Sequence, residues 1–254
     1  MDSLVVSGLV KRFGGVVALN GVDFRVKAGE TRALIGPNGS GKSTLINCVS
    51  AIDVWDEGTI SVEGTPVVGK NSVVAARRGI ARTFQTLRLF DDMSVVENVM
   101  VAMHHWRQAG LLSSILGLPR FREDEKRMRA DALALLELCG IAGVADRTAA
   151  TLPYGHRRLV EIARALAIKP RLLLLDEPAA GLNDSETEEL ANLVKSLGKD
   201  TLAIVVVEHN MDFVASVADQ VTVLDNGSVI AEGTPEEVRR HPEVLRAYLG
   251  SEES

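Results

Sequence analysis

Apolar positions in this chain fall into short runs of strand length that alternate with turns and helical patterns. Thr31–Gly36 is an apolar run that ends in a Gly-rich turn, and helical spacing follows from Lys42 to about Ser50. Ile80–Gln85, Leu172–Asp176 and Ala203–His209 are further runs of strand length. The last two are apolar nearly throughout, as strands covered on both faces must be. Helical patterns follow them at Glu186–Ser196 and Met211–Ala218. Val221–Leu224 and Val229–Ala231 flank Asp225-Asn226-Gly227-Ser228, a hairpin signal. Alternation of this kind predicts an α/β chain with a mainly parallel sheet.

Between Thr86 and Leu152 the pattern changes. Ser94-Val95-Val96-Glu97 is a capping box opening a helix toward His104, and the charged stretch Arg120–Arg129 runs into an amphipathic helix over Met128–Cys139. No strand signal occurs there, so the block reads as a helical insert with its most variable part at Arg107–Pro119. The tail places Thr234 as N-cap, Pro235 at N1 and Glu237 at N3, before a last helical stretch over Pro242–Leu249.

Composition narrows the classes. At 46% hydrophobic and 24% charged, 254 residues can bury a sizeable core, which excludes disordered and disulfide-scaffold chains. The balance of 28 Lys+Arg against 34 Asp+Glu, a net −6 without a basic block, argues against a nucleic-acid partner. Cys48 and Cys139 make no metal-ligand pattern and read as buried, reduced thiols of an intracellular protein. No apolar run approaches the roughly 20 residues of a membrane span. The start, with Asp2 and a brief apolar patch, does not read as a signal peptide. A soluble protein that stays where it is made is expected.

The chemistry begins at Gly36-Pro37-Asn38-Gly39-Ser40-Gly41-Lys42-Ser43, which fits G-x-x-x-x-G-K-S/T between a predicted strand and a predicted helix. Glycines there let backbone N–H groups converge on a phosphate, and the helix adds its positive N-terminal end. Lys42 is expected to reach the β- and γ-phosphates, with the Ser43 hydroxyl on Mg²⁺. The second half is Asp176-Glu177 at the tip of an apolar strand, the ligand edge of a doubly wound sheet. Asp176 is expected to hold Mg²⁺ through water and Glu177 to polarise an attacking water; the bland alternative is an acidic cap for the next helix. His209 ends the following strand, where it could meet a γ-phosphate or serve only the structure.

Taken together these residues resemble the ATP-binding subunit of an ABC transporter, over nearly the whole chain and in that family's order. The resemblance implies a P-loop cassette with a mainly parallel RecA-like core, an antiparallel β subdomain and a helical subdomain. It puts the core with its β subdomain at 1–86 and 159–254, and the helical signature subdomain at 87–158. Phe13 falls at the family's adenine-stacking aromatic, Gly36 through Thr44 at its ATP loop, and Gln85 at its lid-like Gln that senses Mg²⁺ and the membrane subunit. Leu152-Pro153-Tyr154-Gly155-His156 occupies the place of the signature L-S-G-G-Q, which contacts the ATP of the opposite subunit. Asp176 and Glu177 match the metal-coordinating and catalytic acids, Gly181-Leu182-Asn183 the D-loop, and His209 the switch histidine. Pro153 stands for the signature Ser, His156 for Gln and Asn183 for the D-loop Asp, departures that bear on the equivalence of the two ATP sites.

Finer features, Phe13–Leu19, Arg157-Arg158, Ile162–Leu166, Glu208-His209-Asn210-Met211 and Ala247-Tyr248-Leu249-Gly250 among them, resemble the ATPases of bacterial branched-chain (hydrophobic) amino acid uptake systems. That resemblance implies a peripheral protein on the cytoplasmic face of the membrane. Its partners would be transmembrane permease subunits, a second ABC ATPase (a paralogue or another copy) and, indirectly, an extracytoplasmic solute-binding protein. Leu89 and Phe90 beside Asp91-Asp92, in a segment Leu87–Val99 read as helical, would carry the permease contact. The competing readings are a single-cassette soluble ABC ATPase of an assembly system and a P-loop small-molecule kinase. The kinase needs an acceptor pocket and Arg clamps, and does not need a strand ending in Asp-Glu-Pro followed by one ending in His.

Overall fold

The computed structural model describes residues 2–69, 71–103, 119–198 and 201–249. The expected variable stretch at 107–119 and the end of the helix at His104 lie outside the described residues, apart from Pro119. The chain divides into two compact units, one of Met1–Gln85 with Pro170–Ser254 and the other of Thr86–Lys169.

The first unit opens with two long antiparallel strands, β1 (Asp2–Phe13) and β2 (Val16–Lys27). They form a sheet in the order β2-β1-β4-β5 with β4 (Glu57–Val62) and β5 (Thr65–Pro66). The second sheet is built on β3 (Thr31–Ile35), β6 (Ile80–Arg82), β7 (Leu172–Asp176), β8 (Ala203–Val207), β9 (Gln220–Asp225) and β10 (Ser228–Gly233), in the order β10-β9-β3-β8-β7-β6. Every pairing in it is parallel except the β9–β10 hairpin. β7 and β8 are buried at every residue, the reason their sequences lack alternation.

Helix α1 (Lys42–Val49) turns Leu45, Ile46 and Val49 into a core shared by both sheets, with Leu4, Val6, Phe24, Ile60, Leu172 and Val205. A second apolar cluster joins Ala33, Ile35, Val221 and Val223 to Val214, Val238 and Val244 of the helices that follow β8 and β10. Those helices are α7 (Met211–Val217), α8 (Pro235–Arg239) and α9 (Pro242–Leu249), while α2 (Ser72–Arg77) precedes β6 and α6 (Asp184–Leu197) follows β7. α8 starts with the expected capping box, in which Glu237 N–H donates to Thr234 Oγ1 and Thr234 N–H donates to Glu237 Oε2. Such a cap is worth about 1 kcal/mol.

The second unit is helical. α3 (Val95–Met103), α4 (Pro119–Leu138) and α5 (Tyr154–Ala167) bury Val95, Val96 and Val99 with Ala132, Leu136, Val160 and Ile162. Ser94 and Glu97 form the expected capping box. The only departure from helical structure toward sheet among the described residues of this unit is an isolated bridge, Ser94 to Thr148.

Several boundaries differ from expectation. The segment 87–94 is not helical: α3 begins at Val95, after the Ser94–Glu97 capping box, and Asn98 accepts the N–H of Phe90 and donates to its carbonyl, which holds the irregular turn before it. β6 stops at Arg82, so Gln85 lies beyond the strand. β8 stops at Val207, where Glu208 leaves the ladder to bind backbone N–H groups. α4 extends well before Met128, carried by the charged stretch itself. Both cysteines are buried free thiols, raised by burial to about 11 for Cys48 and about 12 for Cys139, values that keep them protonated and unreactive.

Candidate functional site

Parallel order aligns the C-terminal ends of β9, β3, β8, β7 and β6 along one edge. Along that edge the chain places Asn226 after β9, the glycine turn after β3, His209 after β8, Asp176 and Glu177 at the tip of β7, and Gln85 after β6. The crevice at strand C-termini is where such sheets take ligands.

The glycine turn is dictated by close backbone contacts. A Cβ on Gly36 would lie 2.0 Å from the Leu224 carbonyl oxygen, and one on Gly41 2.6 Å from that of Ala18. Gly36 and Gly41 also hold φ of +146° and +106°, where side chains are strained. Gly41 is the N-cap of α1 and offers no side chain to its first-turn N–H groups. Ser40 Oγ is buried with no hydrogen-bond partner among the described residues. Uncapped N–H groups and an orphaned hydroxyl in one turn form a cradle suited to phosphate oxygens.

Lys42 folds over this turn, its Nζ donating to the carbonyls of Gly36 at 2.7 Å and Pro37 at 2.8 Å. Burial pushes its ammonium below the ordinary lysine range, and the charges of Glu177 and Asp176 pull the other way. A cavity of about 360 Å³ opens over the turn, lined by Val16, Val17, Ala18, residues 38–44, Glu177 and Asn226. Phe13 ends β1 close in sequence to that lining. The residue is 48% exposed, which sets aside a core role, and Lys11 Nζ stands 4.6 Å from the ring centroid.

Asp176 is buried at the tip of β7, where its Oδ2 accepts from Arg82 Nη2 at 2.9 Å. Arg82 also donates to Asn47 Oδ1 and Ser50 Oγ of the α1 segment, tying the acid to the helix that follows the glycine turn. Glu177 departs from the strand with φ +46°, an uncommon conformation for a non-glycine residue. Its Oε2 accepts from Gln85 Nε2 at 2.8 Å, so those two expected site residues touch. The acidic pair does not cap the next helix. That cap is Asn183, whose Oδ1 accepts the N–H of Glu186 while Glu186 closes the box in return. His209 has a 68% exposed side chain, with its Nδ1 3.7 Å from Glu208 Oε2.

In the helical unit, Pro153 is the N-cap of α5 and makes no side-chain cap, leaving the first-turn N–H groups of Tyr154, Gly155 and His156 without one. Tyr154 is 42% exposed, and its hydroxyl accepts from Arg158 Nη2 at 3.0 Å. Arg158 is itself fully buried and paired with Glu161 at 2.9 Å. His156 Nδ1 is buried with no partner among the described residues.

The sequence assigns no chemical role to Arg82, Arg158 or Glu208, although the last two lie in segments that carry the family resemblance. The available signal was a charged residue adjoining an apolar run, as Glu208 adjoins Ala203–Val207, which repeats the placement of Asp176.

The ABC transporter family profile matches residues 19–180. The chain belongs to the ABC transporter family. A second profile, of branched-chain amino acid ATP-binding cassette transporters, matches residues 228–254 of this cassette. It is 41% identical over 248 residues to the high-affinity branched-chain amino acid transport ATP-binding protein BraF of Pseudomonas aeruginosa, covering 97% of each chain. It is 42% identical, with the same coverage, to the corresponding protein LivG of Escherichia coli. Its structure superposes on an ATP-binding cassette of an ABC transporter solved in its ADP conformation, with a TM-score of 0.86 and 34% identity over 98% of this chain and 99% of that one. The cassette is thus a nucleotide-using ATPase of the ABC type. No described helix is long and apolar enough to cross a membrane.

Proposed function

We propose that this cassette hydrolyses MgATP on the cytoplasmic face of a membrane to power an ABC importer of branched-chain or other hydrophobic amino acids. What chiefly supports the reading is 41–42% identity over 97% of the chain to proteins named for that transport. The site geometry supplies the chemistry. Phe13 offers a stacking face to adenine, and residues 36–44 present N–H groups to the phosphates. Lys42 exchanges its two carbonyl acceptors for β- and γ-phosphate oxygens.

The donor set of Ser43 hydroxyl, Asp176 carboxylate and Gln85 amide oxygen is all hard oxygen, which suits Mg²⁺. When bound, that ion neutralises charge on the β- and γ-phosphates. Arg82 holds Asp176 in place for it. Glu177 accepts a proton from the water that attacks the γ-phosphorus, as the bond to the β-phosphate oxygen breaks to release ADP and phosphate. Gln85 restrains the Glu177 carboxylate through its amide hydrogen. His209 lies at the next strand end for the γ-phosphate.

Pro153, Tyr154, Gly155 and His156 serve the ATP of a second cassette, a paralogue or another copy, and Asn183 is the D-loop residue. Without a serine hydroxyl at 153, the contribution from this side is the N–H groups of the α5 first turn. Permease subunits dock on the second unit, and a solute-binding protein acts through them.

Phe13→Ala is expected to weaken ATP by about tenfold, the loss of one stacking face, with the fold intact. A fluorescent-nucleotide titration checks it. For the permease contact, Leu89 is half-buried beside Phe90, itself 48% exposed under the Arg164 guanidinium at 5.3 Å, with exposed Asp91 and Asp92 at the rim. Leu89→Asp is expected to abolish uptake while leaving ATP binding at the parent level. Deleting the chain from its host tests the function itself: uptake of radiolabelled leucine, isoleucine or valine should fall, and the permease should co-purify with the restored chain. Unchanged uptake together with a soluble partner only would favour the assembly-system ATPase.

A further inference from the structure

β7 and β8 are neighbours, and their last rung is the Glu177 N–H donating to the Val207 carbonyl at 2.9 Å. Beyond it the two chains part. Glu177 turns away in a left-handed conformation toward Pro178 and Ala179, and the other chain runs through His209 to Asn210, the N-cap of α7. No further backbone rung between them is needed, because a side chain replaces it. Glu208, 1% exposed, accepts the Ala179 N–H on Oε1 at 2.9 Å. Its Oε2 accepts the N–H groups of His209 at 3.0 Å and Asn210 at 3.4 Å.

We infer that Glu208 is a positioning residue for hydrolysis, a buried two-armed clamp that sets the Glu177 turn and the His209 backbone in register. It rests on the proposed roles of Glu177 and His209 and adds what holds them. A carboxylate is the group the position requires. It is an acceptor at both oxygens, three backbone N–H groups use them, and its length spans two turns that diverge after the last rung. Its hydrogen bonds among the described residues go to Ala179, His209 and Asn210, none to the glycine turn or Lys42, so nucleotide binding is separate from the clamp.

Glu208→Gln keeps the length and replaces one acceptor with a donor that faces backbone N–H groups. In the full chain, assayed with the cassette partner that supports its hydrolysis, kcat should fall by about 10- to 100-fold, the scale of a misplacement near 1 Å. KM and affinity for MgATP should stay within about twofold of the parent. In a His209→Ala background the same substitution should cost less than in the parent, because both act through one geometry. A parent-level kcat, or a loss that multiplies fully with that of His209→Ala, overturns the inference. Should the variant fail to bind MgATP, amide exchange of the unsubstituted chain decides: Ala179 and His209 are expected to be protected like the amides of β7 and β8, and free-peptide exchange at either overturns it. A parent protein whose hydrolysis is indifferent to Glu177→Gln would instead undo the underlying functional reading.

Discussion

Glu177→Gln is expected to lower ATP hydrolysis by about 10²-fold or more while ATP still binds. The amide matches the carboxylate in size but takes no proton from water and carries no charge to orient it. Lys42, the glycine turn and Asp176 are untouched, and they make the phosphate cradle without Glu177. The variant should therefore hold MgATP and accumulate as a closed pair of cassettes, by itself or only with a paralogue present. Light scattering with and without the second cassette tells which. The substitution also alters the contact to Gln85, because a glutamine pair can keep one amide-to-amide hydrogen bond only with the side chain oriented for it. Hydrolysis at the parent rate would remove Glu177 from the mechanism.

Lys42→Ala is the second large effect, and it acts earlier. It removes a charged donor from the phosphates, at about 1.5–3 kcal/mol for a hydrogen bond to a charged group, so ATP affinity should fall by about 10²-fold. The same side chain bridges the carbonyls of Gly36 and Pro37, so the loop loses an internal brace as well. Hydrolysis then fails for want of bound ATP, in contrast with Glu177→Gln, which binds and stalls. Equilibrium binding of a fluorescent nucleotide distinguishes the two. A Lys42→Ala chain with parent affinity would contradict the cradle.

The central strands β7 and β8 were legible because they are buried on both faces and therefore read as apolar runs, and β9 and β10 because a turn sequence joins them. The run Leu172–Asp176 is a strand residue for residue, and the expected strand Ala203–His209 loses only its last two positions, Glu208 and His209. The long strands β1 and β2 gave no comparable pattern. They carry charged residues such as Lys11, Arg12, Asp23 and Arg25 and break register at several points, so their antiparallel sheet entered only through the family resemblance. The glycine turn was visible in its spacing, since Gly36 and Gly41 are demanded by carbonyls of Leu224 and Ala18 that no other residue could approach. What composition and spacing cannot carry is contact between distant segments. The Gln85–Glu177 hydrogen bond spans 92 positions and the Arg82–Asp176 pair 94, and both depend on β6 lying beside β7. Asn98 is a further instance: a polar residue inside an apolar helix, it reaches back to the Phe90 backbone eight positions earlier and fixes the turn that precedes the helix.

The coupling of ATP to transport is tested most directly in vesicles carrying the assembled transporter with this chain as a cassette. ATP is placed on the cassette side and radiolabelled leucine with its solute-binding protein on the other. Leucine should accumulate only with ATP, and Glu177→Gln in this chain should bind ATP and bring accumulation down with hydrolysis. Leucine uptake that continues without ATP, or at the parent rate with Glu177→Gln, would contradict the account.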